Sequence, residues 1–410
     1  MSLAGHPGPT APARPRRPPL VLVFAITVTG ILANTLVNAS VPDILDDLGV
    51  GDGSAGLLVA AASLPGILMA PVIGVLADRY GRRPVLVPCL VVFGLFGVAA
   101  AAAPSFPLLL AARFGQGLGS AGLINLANII IGDHWSGVER AKVYGYNSAV
   151  LTISLAVLPG FGGVLTDLGG WRLAFAPYPL AIVTAWVVAR TLHDAPRPAD
   201  TPTIVGQLRR AAAVVAADRR LQASITLAFT AFTLIFGLFL TVLPVHLERE
   251  FGLSASARGL VLAAPALGAT ASALLLGRIR RRTGPRWIIA TSFALFAVTF
   301  PVIGLVGALV VLVGAALVYG VAEGLVLPTL VDVVAEIAPG DSRGAVLSAQ
   351  VGAIRAGQSV GPLLAGVGIG AVGTSTTFVI GAGVAAAALA AVVLAGPLLA
   401  GGAGRATPAG

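Results

Sequence analysis

Long apolar runs, separated by short polar segments, fill almost the whole chain. Each run has about 20 residues, the length that an α-helix needs to cross about 30 Å of hydrocarbon. Because a helix satisfies its own backbone groups within one such segment, the pattern predicts an all-α membrane protein. Twelve spans are predicted, near residues 19–41, 54–77, 85–103, 105–131, 141–166, 171–190, 222–246, 255–277, 286–305, 307–331, 345–370 and 374–400.

A polar loop recurs at a fixed separation in the two halves of the chain. Residues 74–84 read GVLADRYGRRP, and residues 277–287 read GRIRRRTGPRW. An offset of 203 residues relates Gly74 to Gly277, Gly81 to Gly284, Arg140 to Arg343, and Pro159 to Pro362. This constant offset indicates a duplicated six-span unit, and secondary transporters build their binding sites between repeats of this kind.

The duplication divides the chain into five parts. They are a disordered cytoplasmic tail (1–18), an N-terminal six-helix bundle (19–192), a cytoplasmic linker (193–220), a C-terminal six-helix bundle (221–400) and a second tail (401–410). The first tail is rich in proline and arginine, a composition typical of disorder. Apolar residues recur at helical spacing in the linker, which predicts either a short helix on the lipid surface or a plain connection.

The composition excludes a soluble protein. Only 10% of the residues are charged and 57% are hydrophobic, whereas a soluble domain has about 25% charged residues. The net charge is +9, and 21 of the 26 Lys and Arg residues fall in the tails and in the connections on the side of the tails. This bias places both termini in the cytoplasm, and the protein in the cell (inner) membrane. The basic excess therefore sets topology, and no nucleic acid is expected as a partner.

Cofactor chemistry is not expected. The chain has one Cys and four scattered His residues, and its only lysine, Lys142, lacks the glycine-rich context of a phosphate-binding loop. We therefore expect no enzyme activity, no metal and no cofactor.

The loop between spans 2 and 3 resembles the signature loop of the major facilitator superfamily. Its matching residues are Gly74, Asp78, Arg79, Gly81, Arg82 and Arg83. Membership would imply the major facilitator fold, with twelve transmembrane helices in two pseudo-symmetric six-helix bundles. Such a protein works as a monomer by alternating access.

Two further motifs point to a subgroup of that superfamily. Arg113 and Gln116 in span 4 resemble a motif of proton-coupled members. Pro159, Gly162 and Gly163 in span 5 resemble the end of the motif typical of drug:proton antiporters, where it serves helix packing.

The resemblance implies a latch on the cytoplasmic side. Asp78 is expected at the N-terminal end of span 11, near residues 341–343, where unsatisfied N–H groups favour an anion. Arg79 is expected to pair with Asp133 or Glu139. The latch must break when the protein opens toward the cytoplasm.

Other residues of the loop have simpler expected roles. Gly74 is expected to let its helix approach a neighbour closely, and Gly81 to permit a tight turn. Arg82 and Arg83 are interpreted as topology determinants. Arg281 replaces the aspartate in the second copy of the loop, so closure is expected to be asymmetric.

Three ionisable side chains are predicted to lie inside spans. Glu323, Arg113 and Arg355 are costly there unless they are paired or hydrated, which makes them functional candidates. Glu323 is interpreted as the proton-coupling group, because burial and a nearby arginine shift a carboxyl pKa in opposite directions. The arginines are interpreted as groups that tune Glu323 or hold an anion. A fixed Glu323–Arg355 ion pair is the alternative.

Polar residues on shared helix faces predict a substrate cavity. They are Asn34, Asn38, Gln116, Ser120, Asn128, Tyr319 and Gln358. Span 7 carries a stripe of four phenylalanines, Phe229, Phe232, Phe236 and Phe239. The stripe either faces lipid, the interpretation that we favour, or faces inward as an aromatic wall for an apolar ligand.

The leading hypothesis is proton-coupled export of a small apolar or amphipathic compound. The expected partners are that small-molecule substrate, protons and the lipid bilayer. The alternatives are a proton-linked importer or dedicated metabolite carrier of the same fold, and a transport-inactive sensor or assembly subunit.

Overall fold

The chain folds into long apolar helices. A computed structural model describes residues 17–194, 204–339 and 343–394, and within these ranges no strand is present. The helical spans, in chain order, are Leu20–Asp47, Asp52–Tyr80, Arg82–Ala101, Phe106–His134, Gly137–Gly169, Trp171–Thr191, Arg219–Phe251, Ala255–Arg280, Pro285–Leu305, Leu309–Ile337 and Arg343–Leu394. The last of these breaks at Gly373 (φ 80°, ψ 172°), which divides it into spans 11 and 12. The predicted all-α fold of twelve spans is confirmed.

Some predicted features lie outside the described residues. Residues 1–16, 195–203, 340–342 and 395–410 are not among them, and neither is the side chain of Asn34. These ranges contain the C-terminal tail, most of the N-terminal tail, the proline-rich part of the linker and the turn before span 11.

The two ends of the described chain lie on one face of the molecule. Because the number of spans is even, residues 17 and 394 share a side, which we call the termini side. The loops between spans 1 and 2, 5 and 6, 7 and 8, and 11 and 12 lie on the opposite side.

Spans 1, 4 and 7 are interrupted along their length, and spans 2 and 6 begin with the 3-10 turns Asp52–Ser54 and Trp171–Phe175. Span 1 consists of Leu20–Thr35, a 3-10 turn Asn38–Ser40 and Val41–Asp47; span 4 of Phe106–Ser120 and Leu123–His134; and span 7 of Arg219–Leu234, a π-helix Ile235–Val242 and Leu243–Phe251. Pro42 begins the last part of span 1, where its missing N–H is tolerated. Gly122 marks the break in span 4 and lies against Ile73, where a Cβ would clash.

Corresponding loops of the two halves share a backbone conformation. Gly170, after span 5, has φ 77° and ψ 169°, and Gly373, after span 11, has φ 80° and ψ 172°. Positions 170 and 373 differ by 203, the offset of the sequence repeat. Both conformations favour glycine, so the duplication is preserved in the backbone.

The linker contains a helix that packs on protein. The helix Ile204–Ala217 places Val214 and Val215 against a small cluster that includes Leu221, Val334 and Val346. These residues belong to spans 7, 10 and 11 at the termini side. The prediction of a helix resting only on lipid therefore omitted its contact with the C-terminal bundle.

Close backbone contacts join the two halves on the opposite side. Gly163 of span 5 lies against the backbone of Ala255 in span 8, and Gly366 of span 11 lies against the backbone of Gly53 in span 2. The 203-residue offset relates Gly163 to Gly366 in these two seams. It also relates the contact of Gly259 with Pro159 to that of Gly56 with Pro362. A Cβ at any of these four seam glycines would clash with backbone of the other half. The opposite side is thus closed by two related glycine seams.

Two adjacent glycines in span 5 contact different halves of the protein, so their substitution distinguishes an effect on folding from an effect on closure of the seam. Gly162 faces the backbone of Leu36 within the first half, whereas Gly163 faces the second half. We expect Gly162→Leu to lower the melting temperature of the purified protein, because overpacking costs about 1–3 kcal/mol. Gly163→Leu should instead leave the fold intact and disfavour the closed seam, which shifts the conformational equilibrium about tenfold.

Opening of the seam can be measured with one cysteine. Ser63 lies just beneath the seam of spans 2 and 11, and Ser63→Cys in a Cys89→Ser background provides a single reactive thiol. Gly163→Leu should speed its labelling by an impermeant maleimide added to intact cells. Equal labelling in the Gly162→Leu and Gly163→Leu variants would refute the distinction.

Candidate functional site

A cavity of about 460 Å³ opens between the two halves on the termini side. Spans 2, 4 and 11 form its walls, and most of the lining is aliphatic. Its polar lining residues are Asp78, Asn125, Asn128, Ser348 and Arg355. The cavity therefore combines an apolar wall with a few polar groups, as small-molecule sites commonly do.

The floor of the cavity is a polar contact between the halves. Ser63 of span 2 donates a hydrogen bond to the carbonyl oxygen of Gln358 at 3.1 Å, and Ser359 donates to Ser63 Oγ at 3.2 Å. Beyond this floor lie the glycine seams. A compound in the cavity is consequently separated from the opposite side by about half the length of spans 2 and 11.

An aspartate strengthens the seam between spans 5 and 8. Asp167, near the end of span 5, accepts hydrogen bonds from the backbone N–H groups of Ala255 and Ser256, both at 3.0 Å, and from the hydroxyl of Ser256. These are the first residues of span 8, where unsatisfied N–H groups favour a carboxylate. One half thus caps a helix of the other.

Two arginines of the second half hold the first half nearby. Arg258, only 1% exposed, pairs with Asp43 and donates to the carbonyl oxygen of Ala39 at 2.9 Å. Arg249 pairs with Asp46 at 2.6 Å and with Asp52 at 2.8 Å. The sequence analysis did not identify these arginines, because the sequence alone does not indicate which loops lie close together.

The loop between spans 2 and 3 is organised around Arg82. Its Nη1 lies 2.9 Å from Asp78, and its Nε lies 2.9 Å from Asp133. The predicted pairing of Arg79 with Asp133 is wrong, since Arg79 stacks on the ring of Tyr80 instead. The turn at Gly81 (φ 105°) places Arg82 in the first turn of span 3, four residues after Asp78, and directs it back toward span 4.

Other expectations for this loop also change. Glu139 pairs with Arg17 at 2.6 Å, and the backbone N–H of Arg83 donates to Asp194 at 3.0 Å. Gly74 faces open space beside the cavity, so it permits no close helix approach in this conformation. Asp78 lies at the cavity mouth, and Asp341 lies outside the described residues.

Arg113 is enclosed within the first half. It is 2% exposed and donates to the carbonyl oxygen of Ala33 and to Gln116 Oε1, both at 2.9 Å. Arg113 Nε and Gln116 Nε2 are buried without a hydrogen-bond partner among the described residues. Neither residue is among the cavity-lining residues, so the predicted partnership of Arg113 with Glu323 is absent here.

A polar network that the sequence analysis missed supports the first-half wall of the cavity. Thr27 donates to Asn147 Oδ1 at 2.7 Å, and Asn147 donates to Asn128 Oδ1 at 3.2 Å. Tyr144 donates to the carbonyl oxygen of Asn128 at 3.0 Å. Tyr144 and Asn147 are three residues apart in an apolar span, a spacing that places both on one helix face. That spacing is the sequence feature that could have predicted this network.

The other predicted cavity residues whose side chains are described do not line the walls of this cavity. Asn38 is buried in the 3-10 turn of span 1, and Ser120 donates to the carbonyl oxygen of Gly117 at 3.4 Å. Gln358 lies one turn beyond Arg355, where its carbonyl oxygen forms part of the floor. Among the predicted cavity residues with described side chains, Asn128 alone is on the wall described above.

Glu323 is half-buried on span 10, on the helix face that also carries Tyr319. Tyr319, one turn earlier on that face, is fully buried, and its hydroxyl has no partner among the described residues. No ion pair within 4.0 Å joins Glu323 to Arg355 in the described part of the chain, and Glu323 does not line the cavity. The alternative of a fixed ion pair between spans 10 and 11 is therefore absent in this conformation.

The phenylalanine stripe of span 7 turns inward. Phe236 and Phe239 are buried, and the Phe239 ring stacks on Tyr319 with centroids 4.4 Å apart. The prediction that the stripe faces lipid is wrong for these two residues. Both lie in the π-helix, whose wider turn alters the spacing on which the prediction relied.

Comparison with known proteins decides the family. The sequence model of the Major Facilitator Superfamily matches residues 23–248 and 225–409. The chain belongs to the Major Facilitator Superfamily. A solved bacterial homolog of the human lysosomal transporter Spinster superposes with a TM-score of 0.73 at 19% identity, covering 93% of this chain and 95% of that chain.

Curated relatives include transporters named for multidrug transport. Multidrug transporter protein MdtP of Bacillus subtilis (strain 168) is 32% identical over 163 residues, which are 40% of this chain and 30% of that protein. Multidrug resistance protein 1 of the same organism is 26% identical over 289 residues, which are 66% of this chain and 71% of that protein. Against MdtP and two other relatives, the chain spans only 25–30% of the relative's length. Family membership and the apolar helices make this Major Facilitator Superfamily chain a multi-pass membrane protein.

The two arginines that flank Gly81 should behave differently when replaced. Arg82→Gln removes both ion pairs of a largely buried guanidinium, so we expect the protein to lose about 1–2 kcal/mol of stability and part of its transport activity. Arg79→Gln removes the same charge from the same loop but no ion pair. Melting temperatures of the two purified variants test this expectation, and a larger loss in Arg79→Gln would contradict it.

Proposed function

We propose that this protein exports small apolar or amphipathic compounds across the cell (inner) membrane by alternating access, driven by proton entry. In this proposal it works as a monomer in the lipid bilayer, with both termini in the cytoplasm. The bias of Lys and Arg residues toward the termini side supports this orientation. The closed side then faces outward, and the cavity opens to the cytoplasm.

The observation that carries the proposal is the pairing of an open cavity with closed seams. Pro159 and Gly163 of the antiporter-like motif form the seam with span 8. Because the backbones in this seam are too close to admit a Cβ, the seam has two states, fully packed or separated. A rigid pivot of the halves would separate these contacts and bring the walls of the cavity together. The names of the multidrug relatives support export as the direction.

Closure on the cytoplasmic side would reuse the loop around Arg82. Asp78 lies at the cavity mouth opposite Ser348 of span 11. In the proposed outward-open state, Asp78 exchanges its contact with Arg82 for the N-terminal end of span 11, where backbone N–H groups favour an anion. Arg281 stands at the corresponding position of the second half and cannot cap a helix in this way.

Glu323 is the proposed proton-coupling group. It is the one acid well inside a described span, and it lies in the second half beside the buried hydroxyl of Tyr319. A carboxyl group without a fixed cationic partner can change its protonation as the halves move. An inward proton supplies about 2.3 kcal/mol per 100 mV of membrane potential, in addition to its pH gradient.

Export is tested with a panel of fluorescent dyes in cells with and without the protein. We expect lower accumulation of apolar or amphipathic dyes in cells that express it, and loss of this difference when a protonophore removes the driving force. Higher accumulation would instead indicate an importer. Unchanged accumulation of every dye would refute broad export.

Proton coupling is tested by a matched pair of substitutions on span 10. Glu323→Gln removes the half-buried carboxyl group midway along span 10, whereas Glu336→Gln removes an exposed one near the end of the same helix. In proteoliposomes, Glu323→Gln should reduce pH-driven uphill transport about tenfold or more while exchange down a substrate gradient persists. Glu336→Gln should keep both activities. Retained pH-driven transport in Glu323→Gln, or equal losses in both variants, would contradict the assignment.

A further inference from the structure

An arginine without a charged partner lies at the inner end of the cavity. Arg355 of span 11 lines the cavity two turns deeper than Ser348 and one turn before the floor at Gln358 and Ser359. A Cβ on Gly66 of span 2 would sit 3.6 Å from its Nη1, so the guanidinium fills the space that this glycine leaves. Gly66 is midway along span 2, which places the guanidinium near the middle of the membrane.

The guanidinium has donors to spare. Among the described residues its partner is Gln358 Oε1, 3.5 Å from Nη1, which is long for a hydrogen bond. No carboxylate lies within 4.0 Å in the described part of the chain. A guanidinium carries five N–H donors in a planar fork that matches two carboxylate oxygens. Most of these donors are therefore available to a bound compound.

The other charged group of the cavity does not neutralise Arg355. Asp78 is the only acid among the lining residues, and it lies at the mouth, paired with Arg82. Arg355 thus gives the inner end of the cavity a positive charge, and Asp78 at the mouth does not neutralise it. A cation at this depth is costly unless it is paired or hydrated, and a bound anion would pair it.

The rest of the cavity sets the form of that anion. Its walls are aliphatic, with Ile67, Ile73, Leu126 and Val351 among them. Asn125 and Asn128 supply amide groups on the wall of span 4. Such a cavity suits a compound with an apolar body and one acidic group.

The geometry points to amphipathic carboxylates as the substrate class, held by a bidentate contact of the carboxylate with Arg355. This inference rests on the proposed function, because it names the substrate of the same cavity. Arg355 is then the residue that selects anions over neutral and cationic compounds of equal size. The aliphatic walls contribute affinity without discriminating among apolar bodies.

Binding to the purified full chain tests the inference without a proton gradient. The probes are naphthalene-1-acetate, its neutral amide naphthalene-1-acetamide, and naphthalene-1-ethylamine as the cation, each titrated at pH 7 by calorimetry. We expect the carboxylate to bind about tenfold or more tighter than the amide, as for other buried charge-assisted contacts. The amine should bind more weakly than the amide.

Three variants identify the residue responsible. Arg355→Gln should bring the affinity for the carboxylate down to that for the amide and leave the amide affinity unchanged. Arg355→Lys should retain part of the preference, since it keeps the charge. Arg278→Gln removes an exposed arginine of the termini side and should change neither affinity. Melting temperatures verify that each variant is folded.

Several results would overturn the inference. They are equal or weaker binding of the carboxylate compared with the amide, an unchanged preference in folded Arg355→Gln, or an equal loss in Arg278→Gln. An unfolded Arg355→Gln leaves the probe series and Arg355→Lys to decide. Carboxylate binding in a protein that exports nothing would refute the proposed function alone, whereas export of neutral dyes with no carboxylate preference would refute this inference alone.

Discussion

Backbone contact between helices at glycine positions is the constraint on which this structure depends. Lipid provides no hydrophobic force that would drive two apolar helices together, so close packing and hydrogen bonds must do so. Gly163 against Ala255, and Gly366 against Gly53, bring backbones of the two halves together. Because both contacts lie on one side, the halves diverge toward the other side, and the cavity is the space that this divergence leaves.

The two seams share a geometry but differ in chemistry. The seam of spans 5 and 8 adds the helix cap by Asp167 and the buried guanidinium of Arg258. At the corresponding positions, 203 residues away, the seam of spans 2 and 11 has Gly370 and Ala55. The seam of spans 5 and 8 is therefore reinforced by charge at these positions. The seam of spans 2 and 11 relies on backbone packing and on the hydrogen bonds of Ser63 with Gln358 and Ser359. Separating the first requires that charged groups be rehydrated, while separating the second exposes mainly apolar surface.

Sequence patterns predicted the fold well because hydrophobic length and a constant offset are properties of the chain itself. The candidate site was less predictable, since it depends on which side chains meet. Arg79 and Arg82 are the same residue type in the same loop, and the sequence does not distinguish them. The turn at Gly81 is what directs Arg82 to Asp133. The π-helix of span 7 could not be predicted either, because the spacing rule assumes the period of an α-helix. The π-helix turns Phe239 inward. Arg355 was identified as a buried charge, but its lack of an acidic partner required coordinates.

The ion pair between Asp46 and Arg249 records the history of the molecule. These two positions are 203 residues apart, so they are copies of one ancestral position, and here they touch each other. In a dimer of two identical six-span chains, a position that meets its own copy across the twofold axis carries the same residue twice. Like charges would then face one another. Opposite charges at this place became available only after duplication let each copy mutate separately, so this ion pair is younger than the symmetry that it crosses.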